Sequence, residues 1–82
     1  MNVNYKIQLF EYIYNMRIFA DKLKELRTEQ GLSIFELSKK TGVSVGAICH
    51  WENNKSDIKS DQLTTIAKFF GVTTDYLLGL EN

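Results

Sequence analysis

Between Met16 and Gly79, apolar positions recur at helical spacing in short, separately punctuated segments. Phe19, Leu23 and Leu26 fall at i, i+4 and i+7, and Gly31 follows as a natural stop. The next segment opens on Ser33-Ile34-Phe35-Glu36, an S-x-x-E pattern in which hydroxyl and carboxylate satisfy orphan amides reciprocally. It runs to about Thr41 and stops at Gly42. Ser44 is a good N-cap for a third helix with Ala47, Ile48 and Trp51 on one stripe, ending near Asn53-Asn54, because Asn tolerates the left-handed conformation. Residues 55–59 read as a loop. A fourth helix starts at Ser60 or Asp61, turns Leu63, Ile66, Ala67 and Phe70 inward, and meets Gly71. A fifth, short one starts behind Thr73 and carries Tyr76, Leu77 and Leu78 to Gly79. No strand-like run with hairpin signals interrupts this series, and no internal repeat is visible. Five short helices joined by tight turns predict an all-α bundle.

Residues 1–15 read differently. Tyr5, Ile7 and Leu9 alternate as a strand would, whereas Ile7, Phe10 and Tyr14 fit a helix face, so both readings stand. The segment is too short to fold alone. It packs on its own domain, pairs with a partner or stays partly ordered. Met16 would also make a natural start, so the first fifteen residues are equally an accident of start-site choice. The predicted organisation is an N-terminal extension, 1–15, followed by one domain, 16–82.

Length limits what such a chain can hold. A domain of 82 residues buries roughly 60–65% of its unfolded surface, so it has one core and little room for a substrate cavity. No apolar run exceeds three residues, which excludes a transmembrane helix, and Glu11 interrupts the only candidate signal-peptide core. The single cysteine cannot form an internal disulfide, and a reducing cytoplasm is the expected compartment. Ten basic residues balance ten acidic ones, so bulk charge does not mark a nucleic-acid binder. The charge is unevenly spread: residues 16–42 carry six Lys/Arg against four Asp/Glu, and residues 43–82 carry three against five. Any nucleic-acid contact must therefore be local and shaped.

The second helix, a tight Gly42-Val43 turn and the third helix have the proportions of a helix-turn-helix, in which the second member enters the DNA major groove. Leu37 and Ser38 face inward, Val43 plugs the corner, and Ile48 and Trp51 anchor the third helix. Ser44, Val45, Gly46, Cys49, His50 and Asn53 are left on the opposite face. Positions 45 and 49, like 46 and 50, are i,i+4 neighbours and form one surface.

Several segments together resemble the Cro/cI-type, or Xre-type, helix-turn-helix family. They are Leu23 to Arg27, Gly31-Leu32-Ser33, Glu36 to Ser44, Ile48, Trp51 to Lys55, Ile66 to Val72 and Asp75 to Gly79. The likeness covers about residues 17–80, in order and nearly without gaps. It implies a five-helix lambda-repressor-like DNA-binding domain, double-stranded DNA as partner, binding usually as a homodimer, and no cofactor. Arg27 and Glu52 match a pair that ties the first helix to the third in this family. Ser44, Val45, Gly46 and His50 match base-facing positions, and Cys49 matches the groove edge. Asn53 and Lys55 match phosphate contacts. The amide at the start of the second helix points at a phosphate, where the helix dipole helps.

The chain departs from the family pattern at three positions. Ile34 stands where Gln is usual, and Val45 and Gly46 stand where polar or basic residues are common. Bidentate reading of guanine or adenine is thus absent at 45 and 46. Val45 can touch a thymine methyl, and Gly46 lets the backbone come close. His50, Ser44 and Asn53 remain as polar readers.

Chemistry of other kinds finds little support. Cys49 and His50, adjacent on a helix, point about 100° apart and form no dyad. One His and one Cys are too few for a zinc site. Trp51 is expected in the core rather than as a stacking platform. Lys39 and Lys40 read equally as a solvated face or as phosphate contacts. Phe69, Leu80 and the N-terminal aromatics are candidates for a dimer contact. The sequence therefore predicts a cytoplasmic, repressor-like, non-enzymatic transcription regulator without a small-molecule substrate. The alternative is a protein-interaction module on the same fold, antitoxin-like or binding another regulator, using Ile34, Val45 and the N-terminal aromatics.

Overall fold

The computed structural model describes residues 3–55 and 58–81, with side chains from Met16 onward. It contains α1 (Val3–Glu29), α2 (Ile34–Thr41), α3 (Val45–Glu52), α4 (Ser60–Phe70) and α5 (Thr74–Leu77), with no strand among the described residues. The predicted order of five helices is observed. One difference is length: the first helix is not short, because the backbone of residues 3–15 is helical and continuous with it, giving 27 residues. A helix of that size is about 40 Å long, against a longest molecular dimension of 47 Å. The Cα radius of gyration, 13.4 Å, exceeds the roughly 12 Å expected of a compact chain this long. The extended α1 accounts for the excess.

Local chemistry sets the helix ends. The Ser33 hydroxyl accepts from the Glu36 N–H at 3.0 Å while the Glu36 carboxylate accepts from the Ser33 N–H at 2.8 Å. This closes the capping box read from the sequence. Ser44 and Thr73 cap α3 and α5 by accepting from the Ala47 and Tyr76 amides. Gly42 adopts φ +79°, a left-handed conformation that a side chain would strain. Its N–H reaches the Ser38 carbonyl at 2.8 Å, and the Thr41 hydroxyl accepts from the Val43 N–H. The turn is thereby fixed, and α3 leaves it in a set direction.

The core gathers where these helices meet. Leu23, Leu37, Ile48, Ile66 and Leu77 are wholly enclosed, joined by Phe19, Val43, Trp51 and Ala67. Trp51 is a core residue, set edge-on to Phe19 with ring centroids 6.0 Å apart. Leu26, Leu63, Phe70 and Leu78 are partly buried against this cluster. Against α5, the Lys22 ammonium lies 4.3 Å from the centre of the Tyr76 ring.

One polar contact locks α1 to α3. The Arg27 Nε–H and Nη2–H donate to the two carboxylate oxygens of Glu52 at 2.7 and 2.9 Å, and Nη1–H donates to the Leu32 carbonyl at 2.8 Å. The side chains keep only 12% and 5% of their exposure. The hydrogen bond to Glu52 raises the guanidinium pKa above its ordinary value, with burial opposing and the carboxylate charge adding to the rise. A fork-shaped pair of this kind depends on its planar geometry.

Two outcomes are expected. Glu52→Ala leaves a guanidinium enclosed without its partner and lowers the unfolding free energy by about 3 kcal/mol. In a double-mutant cycle with Arg27→Ala the losses fall short of additive; additive losses in denaturant melts would show the pair to be uncoupled. Glu36 has its pKa lowered, chiefly by the Ser33 N–H, then by the Ser33 hydroxyl, with Lys40 adding to the effect and slight desolvation opposing it. A depressed carboxyl stabilises the fold above its unfolded pKa, near 4.5, and ceases to do so as pH falls through the folded value. Glu36→Gln should thus melt below the parent at pH 7 and close to it at pH 3; an equal gap at both would refute the charge contribution.

Candidate nucleic-acid interface

The face of α3 turned away from the core begins at its N-cap. Ile48 and Trp51 are buried, and Ala47 packs partly against the core. This rotational setting leaves Ser44, Val45, Gly46, His50 and Asn53 exposed, with Cys49 half-buried beside them. The structure thus brings together the six α3 residues singled out from the sequence. Val45 is an exposed apolar side chain at the leading end, with 43% of its surface open.

Lys55 joins this surface through the backbone. Asn54 takes φ +59°, the left-handed state that Asn tolerates. The chain folds back, and the Lys55 N–H donates to the His50 carbonyl at 2.8 Å. The exposed Lys55 side chain therefore starts from a point fixed to the end of α3. Asn53 has an internal task as well: its side-chain amide donates to the Cys49 carbonyl at 2.8 Å, and its backbone N–H donates to the same oxygen. It closes the C-terminus of α3 while its side chain remains at the surface.

Ile34 sits at the first position of α2. It is half-buried and packs against the core cluster. The apolar residue that replaces the usual Gln is thus partly absorbed by the fold. The exposed apolar residue at this end is its neighbour Phe35, 63% open, with the Lys39 ammonium 5.7 Å from its ring centre. Lys39 and Lys40 are both solvent-exposed.

Two exposed residues are not singled out by the sequence. Phe35, on α2, falls off the inward stripe formed by Ile34 and Leu37. Arg17, on α1, lines a shallow hollow with Ala20, Asp21, Glu52, Asn53 and Asn54, at the end of α3. Only the packing of α1 against α3 places that cation beside the end of α3, so no spacing rule within the chain signals it. Among the described residues, no group of three or more His, Cys, Asp or Glu side chains is arranged to hold a metal ion. No helix among them is long and apolar enough to cross a membrane.

Comparison with known proteins agrees with this geometry. The helix-turn-helix family profile matches residues 23–77. The chain is 41% identical over 63 residues to the HTH-type transcriptional activator BcrR of Enterococcus faecalis, covering 77% of this chain and 31% of that protein. Over 63 residues it is 27% identical to the uncharacterized HTH-type transcriptional regulator YobD of Bacillus subtilis, covering 77% of this chain and 56% of that protein. The match thus spans about a third of one relative and just over half of the other. No solved structure matches significantly. The capping box, the glycine turn, the outward face of α3 and the Arg27–Glu52 lock are set in a profile match that runs from α1 to α5, and the chain belongs to the Cro/cI-type helix-turn-helix family.

Proposed function

We propose that this chain is a DNA-binding transcription regulator that lays α3 in the major groove of an operator as a homodimer. The observation that carries the reading is the outward face of α3. Ser44, Val45, Gly46 and His50 stand open to solvent on a helix whose other face is held by Ile48, Trp51 and the Glu52–Arg27 pair. In this reading those four residues face bases and Cys49 lies at the groove edge. Asn53 and Lys55 meet phosphates, supplying affinity and register without sequence information. Half-sites in a two-fold dimer lie about 34 Å apart, one helical turn. Exposed Leu80, 62% open, and the N-terminal aromatics are the residues we assign to the dimer contact. The N-terminal extension then counts as part of the functional chain.

The relative in Enterococcus faecalis is named an activator. Operator binding, rather than repression as such, is therefore the function put forward. A non-enzymatic role in the cytoplasm accords with it. The alternative, a protein-interaction module, uses Ile34, Val45 and the N-terminal aromatics. Ile34 packs against the core, so that support is reduced to Val45 and the N-terminal aromatics.

Selection of duplexes from a random pool at moderate salt, with oligomeric state measured in parallel, tests the reading. An enriched two-fold symmetric site is expected; binding that vanishes with salt regardless of sequence would overturn it. Lys55→Ala should weaken binding to all sequences alike and reduce the slope of log affinity against log salt by about 0.9 per subunit. An unchanged slope would remove Lys55 from the phosphate contacts. His50→Ala should change preference at one or two base pairs, and an identical enrichment profile would dismiss it as a reader.

A further inference from the structure

Residues 3–15 have a helical backbone, yet their composition does not favour one. Val3, Tyr5, Ile7, Tyr12, Ile13 and Tyr14 are β-branched or aromatic, and such residues rank below Ala and Leu as helix formers. Helices in proteins draw most of their stability from packing along one face. The face that packs on the domain is carried by Phe19, Leu23 and Leu26. A helix about 40 Å long outruns that contact in a molecule measuring 47 × 26 × 20 Å.

A second stripe is set on the other side of α1. Val3, Ile7, Phe10 and Tyr14 follow one another at steps of four, three and four, which is the d-a-d-a spacing of a heptad pattern. Phe10 precedes Phe19 by nine residues, about two and a half helical turns. The stripe therefore lies on the face of α1 opposite to the one that packs on the domain. The next d position is Arg17, an exposed cation, so the stripe stops where the domain starts.

Charge placement selects the occupant. The charged residues of this segment are Lys6 and Glu11. With Ile7 at a, Lys6 takes position g and Glu11 position e of the following heptad. In a parallel pair, g of one chain faces e of the other five residues on, and Lys6 and Glu11 are five apart. Two copies of this chain side by side thus match opposite charges twice. An antiparallel pair sets g beside g and e beside e, which puts Lys6 and Glu11 on opposite flanks with no opposite charge.

We infer that two copies of this chain pair in parallel along Val3, Ile7, Phe10 and Tyr14, with Lys6 of each copy opposite Glu11 of the other. The inference rests on the homodimer put forward above and adds its face, orientation and register. The seam is shorter than the three to four heptads of a self-standing coiled coil. Pairing is accordingly weak in the free protein and is reinforced when two copies occupy one operator.

The test measures self-association of the full chain by sedimentation over a dilution series, and binding to the duplex it enriches and to a single half-site. Lys6→Glu and Glu11→Lys each turn two attractions into two repulsions. Each should weaken self-association about five- to tenfold and leave half-site binding unchanged; the double exchange should restore the parent value. For orientation, Val3→Cys in a Cys49→Ser background should form an interchain disulfide on mild oxidation, whereas Tyr5→Cys, off the stripe, should not. In an antiparallel pair the two copies of residue 3 stand about 16 Å apart and do not link. Failure of the double exchange to restore pairing, or linkage at 5 as readily as at 3, would overturn the inference and leave the homodimer standing. A chain that stays monomeric both in solution and on its enriched duplex would assign this face to another occupant and overturn the inference together with the homodimer.

Discussion

The contact on which the rest of this small molecule depends is the enclosed fork between Arg27 and Glu52. Arg27 is near the end of α1 and Glu52 is the last residue of α3, so one ion pair joins the longest helix to the far end of the outward-facing one. The third arm of the guanidinium holds the Leu32 carbonyl, in the connection that leads into α2. Three segments are thus referred to a single planar group. In a domain with so small a core, a largely buried charged pair contributes direction as much as stability: two parallel N–H···O bonds allow little rotation of one helix against the other.

The turn between α2 and α3 supplies the complementary constraint. Gly42 reverses the chain in a left-handed conformation, Val43 fills the corner, and Ser44 begins α3 by capping it. The start of α3 is thereby set by the turn and its end by Glu52. Between them Ile48 and Trp51 fix its rotation about its own axis. A helix of eight residues held at both ends and along one side has a single face left to offer. That face carries small and soft groups, with Ser44, His50 and Asn53 as its polar members.

The aromatic, apolar N-terminal half of α1 stands out from this plan. Its backbone is helical and continuous with the rest of α1, and the elongation of the molecule arises here. In the proposed dimer, pairing through this segment would serve the two-fold geometry of the site. It would also bring no new element to the recognition surface. In that proposal, binding and assembly occupy different parts of the chain.

Much of this architecture is legible in the sequence because it is set by local chemistry. Ser33 and Glu36 close their box, Gly42 and Gly71 end helices, and Leu23, Leu37, Ile48 and Ile66 lie inward at helical spacing, all through interactions within a few residues. The outward set on α3 is legible for the same reason, since burying Ile48 and Trp51 leaves one face over. Residues 3–15 were ambiguous because two periodicities fit them; their helical backbone continues that of α1. Ile34 could be counted as exposed or buried until α2 was packed. The setting of Arg17 beside Asn53 and Asn54, and the open space around Gly46, belong to the tertiary structure alone. Both depend on how helices distant in sequence approach each other. The sequence by itself determined the helices, their ends and their inward faces, through short-range capping and spacing. The tertiary structure decided which surface residues share a site, because that depends on packing between segments that spacing along the chain does not describe.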